Sequence, residues 1–273
     1  MRAFSKHDSP WVLKQLEINS LRLALTDKTN KSTDMLAFYR QIQKEEAYNH
    51  QGLISWIKLN HNKNIHLNQS EQFELLKNTY DLMPWNPIVA SHYALELQIR
   101  DHKPKALRIL QRSYKLNPHR HLAETWLALI NVKKELDVYK KIEKLTTQNP
   151  SHEESYWILT KKALEADLWG QARHHIQPLL YNTPTKSIYQ LMIDIEEKEN
   201  PDQPSKTEFW KNKLEETQLE WEWSCKSCGN MAPTWDAFCS ACGNFGAIEW
   251  GKISYHSQAP LKNKLILSQP RII

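Results

Sequence analysis

Asn-Pro or Thr-Pro pairs return along the middle of this chain at a nearly constant interval. They are Asn86-Pro87, Asn117-Pro118, Asn149-Pro150 and Thr183-Pro184, with prolines 31, 32 and 34 residues apart. Twelve positions before each proline stand Leu75, Ala106, Val138 and Ala172. Eight before stand Thr79, Leu110, Ile142 and Ile176, and five before stand Leu82, Ser113, Leu145 and Leu179. Steps of four and three place each set on one helix face. After each proline comes a second amphipathic stretch with an aromatic near its middle: Tyr93, Trp126, Tyr156-Trp157 and Tyr189. Each unit therefore reads as helix, turn, helix, with proline opening a helix at its first turn. Such a period constrains the fold strongly, because one unit cannot bury its apolar face alone and must stack on its neighbours.

Helices are expected over roughly 11–26, 34–46, 47–60, 70–83, 87–100, 104–116, 119–135, 137–148, 152–167, 170–181, 186–199 and 206–220. Paired, they make about six units. The period and layout resemble tetratricopeptide repeats, in a degenerate form whose tight-turn small residue survives most clearly as Gly170. A helical bundle without repeat symmetry is the plainer alternative. The run from His61 to Asn68 reads as a polar linker, Pro201 to Ser205 separates the last two helices, and Pro178 should kink its helix. The fold class expected is an all-α solenoid followed by a small C-terminal ribbon. Residues 1–220 would form the repeat domain, 221–251 the ribbon and 252–273 a flexible tail, with Leu265-Ile266-Leu267 as a docking segment within it. Stacked helix pairs offer a concave groove to a protein partner.

The ribbon is announced by the only four cysteines. Cys225, Cys228, Cys239 and Cys242 make C-x2-C-x10-C-x2-C. Two such hooks present four thiolates to one tetrahedral ion, as in structural zinc sites. Gly229 and Gly243 follow the hooks where a knuckle turn calls for positive φ and for backbone N–H groups near sulfur. Two alternatives stay open: iron in a rubredoxin-type site, and paired reversible disulfides. Four protein ligands close the tetrahedron, so the site reads as structural and not catalytic. Asp236 reads as a turn residue. Trp221, Trp223, Trp235 and Trp250 read as packing for a unit with almost no core, or as a ligand platform.

Composition excludes more than it selects. Six glycines in 273 residues, with no G-x-x-x-x-G-K-[ST] and no G-x-G-x-x-G, leave no phosphate-cradling loop. Four of the six, Gly229, Gly243, Gly246 and Gly251, lie in or beside the ribbon, as suits a chain that is otherwise helical. The formal charge is +5 with both signs interspersed, and a Zn²⁺ on four thiolates lowers it by two, so no nucleic-acid partner is expected. Neither a stretch of about 18 apolar residues nor a signal-peptide core is seen, so the expectation is a cytoplasmic protein. No Ser, His and Asp are fixed together in a catalytic pattern, so no catalytic residue and no cofactor-binding residue is assigned. Among twelve histidines, His119, His121, His174 and His175 read as solvated or capping. Charged runs such as Lys133-Lys134-Glu135 and Glu196-Glu197-Lys198-Glu199 read as solvated helix faces.

Two stretches resemble a named family. His119-Arg120-His121-Leu122-Ala123-Glu124, Lys144-Leu145, Asn149-Pro150, Ala172-Arg173 and Thr183-Pro184 are similar to the C-terminal part of HemY-type repeat proteins. So is the end of the chain, from Trp223 through Cys225, Cys228-Gly229, Trp235, Cys239 and Cys242-Gly243 to Trp250. The similarity covers most of residues 75–250. It implies a non-enzymatic scaffold for enzymes of late haem synthesis, held at the cytoplasmic face of the inner membrane. The family's N-terminal hydrophobic hairpin has no counterpart here, so membrane contact would come through a partner or a missing anchor. The cysteine ribbon is also similar to the rubredoxin-like terminus of LapB-type repeat proteins. That resemblance implies a ribbon docked on the repeats and a role in regulating lipopolysaccharide assembly. A haem or porphyrin carrier using the groove and one histidine is a further expectation. The ribbon of RadA-type recombination ATPases is similar too, but the chain lacks their P-loop.

Overall fold

The computed structural model describes residues 44–60 and 67–254, with side chains from Gln51 onward. Ten helices and one small sheet make up these residues. The helices are α1 (Lys44–Asn60), α2 (Gln69–Leu82), α3 (Pro87–Ile99), α4 (Lys103–Leu116) and α5 (Arg120–Ile130). They continue as α6 (Glu135–Thr146), α7 (Glu153–Glu165), α8 (Trp169–Tyr181), α9 (Lys186–Glu199) and α10 (Pro204–Glu216). The expected helix at 11–26 and most of that at 34–46 lie outside the described residues, so five of the six expected hairpins are seen.

The chain forms an all-α solenoid followed by a cysteine ribbon. Thr79, Leu110, Ile142 and Ile176, one from each repeat, are all buried. So are Ser113, Leu145 and Leu179 three residues on. One stripe of α2, α4, α6 and α8 is thus buried, and the apolar cluster runs on from hairpin to hairpin. Of the central aromatics, Tyr93 and Trp126 are core residues. Tyr156, Trp157 and Tyr189 are only half-buried.

Turn chemistry explains the scarcity of glycine. Asp101, Asn131 and Asp167 take positive φ, at 60°, 55° and 54°, in successive hairpin turns. Asx residues tolerate this left-handed region. The N–H groups of His102 and Leu168 then return to the Leu97 and Ala163 carbonyls, closing the helix ends in Schellman fashion. Asn131 also stops α5 at Ile130, short of the expected end at 135. Gly170 meets open space where a Cβ would stand, so no close approach requires glycine there. The tight position is Gly52, whose added Cβ would lie 2.5 Å from Met83 Cγ. At Pro178 the helix continues for one turn, to Tyr181.

Helix starts are set by side chains that sequence order makes regular. Asn68 and Glu71 form a reciprocal capping box on α2, and Asn86 caps α3 beside Pro87. His119 and His152 cap α5 and α7 through Nδ1. The capping role expected for His119 is therefore present.

The last helix ends at Glu216 and the chain turns into β1 (Leu219–Cys225), followed by β2 (Met231–Ala232) and β3 (Ile248–Ser254). Both outer strands run antiparallel to β1, in the order β2-β1-β3. Helix had been expected to 220. The period-two alternation Trp221-Glu222-Trp223-Ser224-Cys225 favours a strand instead, and all of it pairs with β3. The sheet runs from Leu219 to Ser254, beyond the expected limits of 221 and 251. No helix among the described residues is long and apolar enough to cross a membrane.

Candidate metal centre and its seat on the repeats

Two knuckles of the same pattern, C-x2-C-G-N, build the centre: residues 225–230 and 239–244. In each, the glycine takes positive φ, 73° at Gly229 and 67° at Gly243. Its N–H donates back to the first cysteine's carbonyl, at 2.8 Å and 2.7 Å. The first cysteine's own N–H donates to the asparagine carbonyl, 2.9 Å to Asn230 and 3.0 Å to Asn244. The Asn230 and Asn244 N–H groups then reach the sulfurs of Cys228 and Cys242. Glycine thus supplies the turn that was expected of it, while the N–H groups near sulfur belong to neighbouring residues. The asparagine in each knuckle is a signal the cysteine spacing alone does not reveal.

All four Sγ atoms lie within 4.8 Å of one another, and no other group of three or more His, Cys, Asp or Glu among the described residues gathers in this way. Cys225 to Cys242 and Cys228 to Cys239 are both 3.7 Å apart. Thiolates about 2.3 Å from one tetrahedral ion stand about 3.8 Å from each other, whereas a disulfide needs about 2.05 Å. The donor set therefore fits a single tetrahedral thiophilic ion. Charge makes the same demand. Burial and the neighbouring sulfurs push the Cys242 thiol up to about 12, and burial likewise raises Cys228. Burial acts against ionisation of Cys239 too, but the N–H groups of Cys242 and Ala241 outweigh it and hold that thiol at about 7. One thiolate forms readily, and four together require a cation.

The tryptophans pack the ribbon as expected, Trp250 lying 6.0 Å from Trp221 and 5.3 Å from Trp223, and they also seat it on the solenoid. Trp223 and Trp250 enclose His119 at the start of α5, with ring centroids 5.4 and 4.7 Å away. His119 Nε2 is buried there without a hydrogen-bond partner. Burial lowers the pKa of this imidazole to about 4, so it stays neutral. Beside it, the Glu154 carboxylate of α7, 2% exposed, is held by Arg120 through Nη2 at 2.8 Å and the backbone N–H at 2.7 Å. The Trp250 indole N–H donates to the same carboxylate at 3.4 Å. Burial works to raise the Glu154 pKa, and the Arg120 charge and hydrogen bonds more than reverse it. The guanidinium lies between Trp157 of α7, 3.9 Å away, and Trp250 of β3, 5.2 Å away.

Polar bonds extend this seat in both directions. Toward the first hairpin, the Trp56 indole N–H donates to Asp236 at 3.2 Å and its ring meets Trp235 at 5.4 Å. Asp236 is thus both a turn residue, accepting from Ala237 N–H, and an anchor. Toward the last hairpin, Lys252 donates to Glu153 and to the carbonyls of Asn182 and Thr183. Glu220 accepts from Ser187 N–H at 2.7 Å and Ser187 Oγ at 2.8 Å. No side chain of its own caps α9, so Glu220 supplies an anion where the helix dipole favours one. The ribbon therefore bridges α1, α5, α7 and α9, the first helices of four hairpins, and covers part of the groove expected to receive a partner.

Of the other histidines singled out, His121 is exposed beside His119, with ring centroids 6.4 Å apart, while His174 and His175 lie elsewhere. His174 is exposed. His175 shares a 3.0 Å hydrogen bond with Tyr139 between α8 and α6, the second helices of their hairpins.

No protein-family profile matches the chain. Residues of the chain are 29% identical over 111 positions to a probable magnetosome protein, Mms48, of Magnetospirillum gryphiswaldense. The match takes in 41% of this chain, which spans 25% of that relative's length. Among solved structures, MamA (residues 41 to the end) from Desulfovibrio magneticus RS-1 aligns over 63% of this chain and 93% of that one. The TM-score is 0.38 at 14% identity, a loose likeness.

Proposed function

We propose that the chain is a non-enzymatic scaffold that binds protein partners, and that its four cysteines hold a structural Zn²⁺. The observation that carries this reading is the ribbon fastened across four first helices by Trp56, His119, Arg120, Glu154 and Ser187. A metal knuckle placed there fixes the curvature of the repeats, as a recognition surface requires. The partner then meets a composite of ribbon edge and the uncovered parts of the concave face. The finer reading follows the HemY resemblance: the partners are enzymes of late haem synthesis, met on the cytoplasmic face of the inner membrane. The docked ribbon itself favours a second reading, the LapB-type arrangement, with partners in envelope-lipid synthesis.

Pull-down of the intact protein from its native cell, with mass spectrometry, separates these readings. Late haem enzymes support the first and envelope-lipid enzymes the second; recovery of neither set, with the metal site intact, overturns both. Elemental analysis is expected to give one zinc per chain, and iron would declare itself by thiolate-to-metal absorption in the visible. The carrier reading is tested by adding haem. A Soret shift lost on substituting His174 or His175 would support it, and no shift removes it.

A further inference from the structure

The ribbon sits on first helices and leaves the outer faces of the second helices bare. On α4 that face is basic throughout: the helix carries Lys103, Lys105, Arg108, Arg112 and Lys115 and no acid. Steps of three, four and three put Lys105, Arg108, Arg112 and Lys115 on one exposed stripe about 15 Å long. It lies opposite the buried Ala106, Leu110 and Ser113. Among the described residues none of these five cations makes an ion pair. Repeat equivalence carries the stripe across to α6. Arg108 and Lys140 each stand ten residues before their proline, and Arg112 and Lys144 six before. Lys140, Lys141 and Lys144 are exposed and likewise make no ion pair among the described residues. Glu143 beside them accepts from the Tyr139 hydroxyl at 3.5 Å. Beyond these two helices the face loses its charge. Lys77 of α2 pairs with Glu74 at 3.2 Å, Asp81 takes the place of Arg112, and Arg173 of α8 pairs with Glu196 at 2.9 Å.

Large apolar side chains border the same surface. Leu116 continues the stripe one turn beyond Arg112, and Asn117 donates to the Trp85 carbonyl at 3.2 Å, which brings Trp85 to the stripe's end. Leu136 precedes Lys140 by one turn on α6. All three are about half exposed.

We propose that the outer face of α4 and α6 docks on an anionic phospholipid surface. The charges are complementary, and each Lys or Arg held near such a surface strengthens binding by about fivefold. Lysine and arginine stems lie along the interface while their heads reach phosphate. Trp85, Leu116 and Leu136 then enter the headgroup layer, which receives indole and leucine side chains flanked by cations. A phosphodiester backbone or an acidic polypeptide has no apolar layer to take them. Docked in this way, the chain turns its first helices and ribbon away from the lipid, whichever protein partner they meet.

The test is cosedimentation of the full-length protein with phosphatidylcholine vesicles containing about 30% phosphatidylglycerol. Binding is expected at low salt, to weaken steeply as salt is raised, and to be absent with phosphatidylcholine alone. Arg108→Glu with Arg112→Glu should weaken it at least about tenfold, and Lys140→Glu with Lys144→Glu should do the same from the next helix. Lys161→Glu with Lys198→Glu, an equal change of charge on first helices, should leave it unaltered. Trp85→Ala with Leu116→Ala should weaken it severalfold at constant charge. Anionic-vesicle binding that survives both reversals on α4 and α6 overturns the proposal, as does equal binding to neutral vesicles. Tighter binding to duplex DNA or to polyglutamate than to the vesicles at the same ionic strength overturns it as well.

Discussion

Hairpins and ribbon solve the same problem, burying enough apolar surface, by opposite means. Each hairpin contributes one stripe, such as Ala106, Leu110 and Ser113 on α4, and gains its core from neighbours of the same design. The ribbon buries only Trp223, Cys225, Trp235, Ala237, Cys239 and Ile248. Two of those are the cysteines themselves. Its remaining aromatic surface is spent outward, on His119, Arg120 and Trp56 of the solenoid. A repeat array can lose a local contact and stand on its other interfaces. A unit as small as residues 219–254, with so little core, would depend on a metal held by its cysteines and on the surface beneath it.

That contrast is broken most severely at the cysteines. Replacing any of the four by Ser, or chelating the metal, should unfold the ribbon while far-UV circular dichroism retains the helical signal. Joint loss of both would show that the array has no core of its own. Next in size is Glu154→Ala, which leaves Arg120 without its partner between two indole rings. Breaking a buried pair in this way costs about 3 kcal/mol, and denaturant unfolding should report it with the solenoid and ribbon both affected. A Glu154→Ala variant of unchanged midpoint would contradict the seat described here.

Acid should loosen the seat before it melts the array. His119 titrates at about 4 in the folded protein against an ordinary 6.5. The unfolded chain therefore binds the extra proton between those values, and stability falls as pH drops from about 6.5 toward 4. The lowered Glu154 pKa acts in the same direction at the acid end, since its contribution is lost as that carboxylate protonates. Tryptophan emission should shift in this window, and His119→Asn, which keeps a capping acceptor, should flatten the upper part of the shift. Smaller again is Glu220→Gln, which weakens the cap on α9 by about 1 kcal/mol. The smallest effect is a gain: Gly170→Ala has open space and should stabilise α8 by about 0.5–1 kcal/mol. Thermal melts distinguish it from Gly52→Ala, which must displace Met83 and should destabilise.

The solenoid was legible because its signals are local. Proline intervals and the 12, 8 and 5 offsets act within one helix, and the buried Leu110, Ile142 and Ile176 carry that pattern directly. The metal centre was legible for the same reason, since C-x2-C and its glycine are neighbours in sequence. The seat was not. Trp250 and Glu154 are 96 residues apart and Trp56 and Asp236 are 180 apart, and nothing periodic links them. A surplus of tryptophan around a ribbon too small to bury it was the available sign. Glycine misled in the array, since the hairpin turns use Asp101, Asn131 and Asp167, while the one crowded glycine, Gly52, lies inside a helix.

The central claim, a metal-held ribbon fastened across the concave face, is tested most directly by hydrogen exchange before and after chelation. Removing the metal should deprotect residues 219–254 and the covered starts of α5 and α7, around 119–126 and 153–157. Protection over 106–114 and 139–146, in second helices away from the ribbon, should persist. Unchanged protection at 119–126 and 153–157 after verified metal loss would contradict the account.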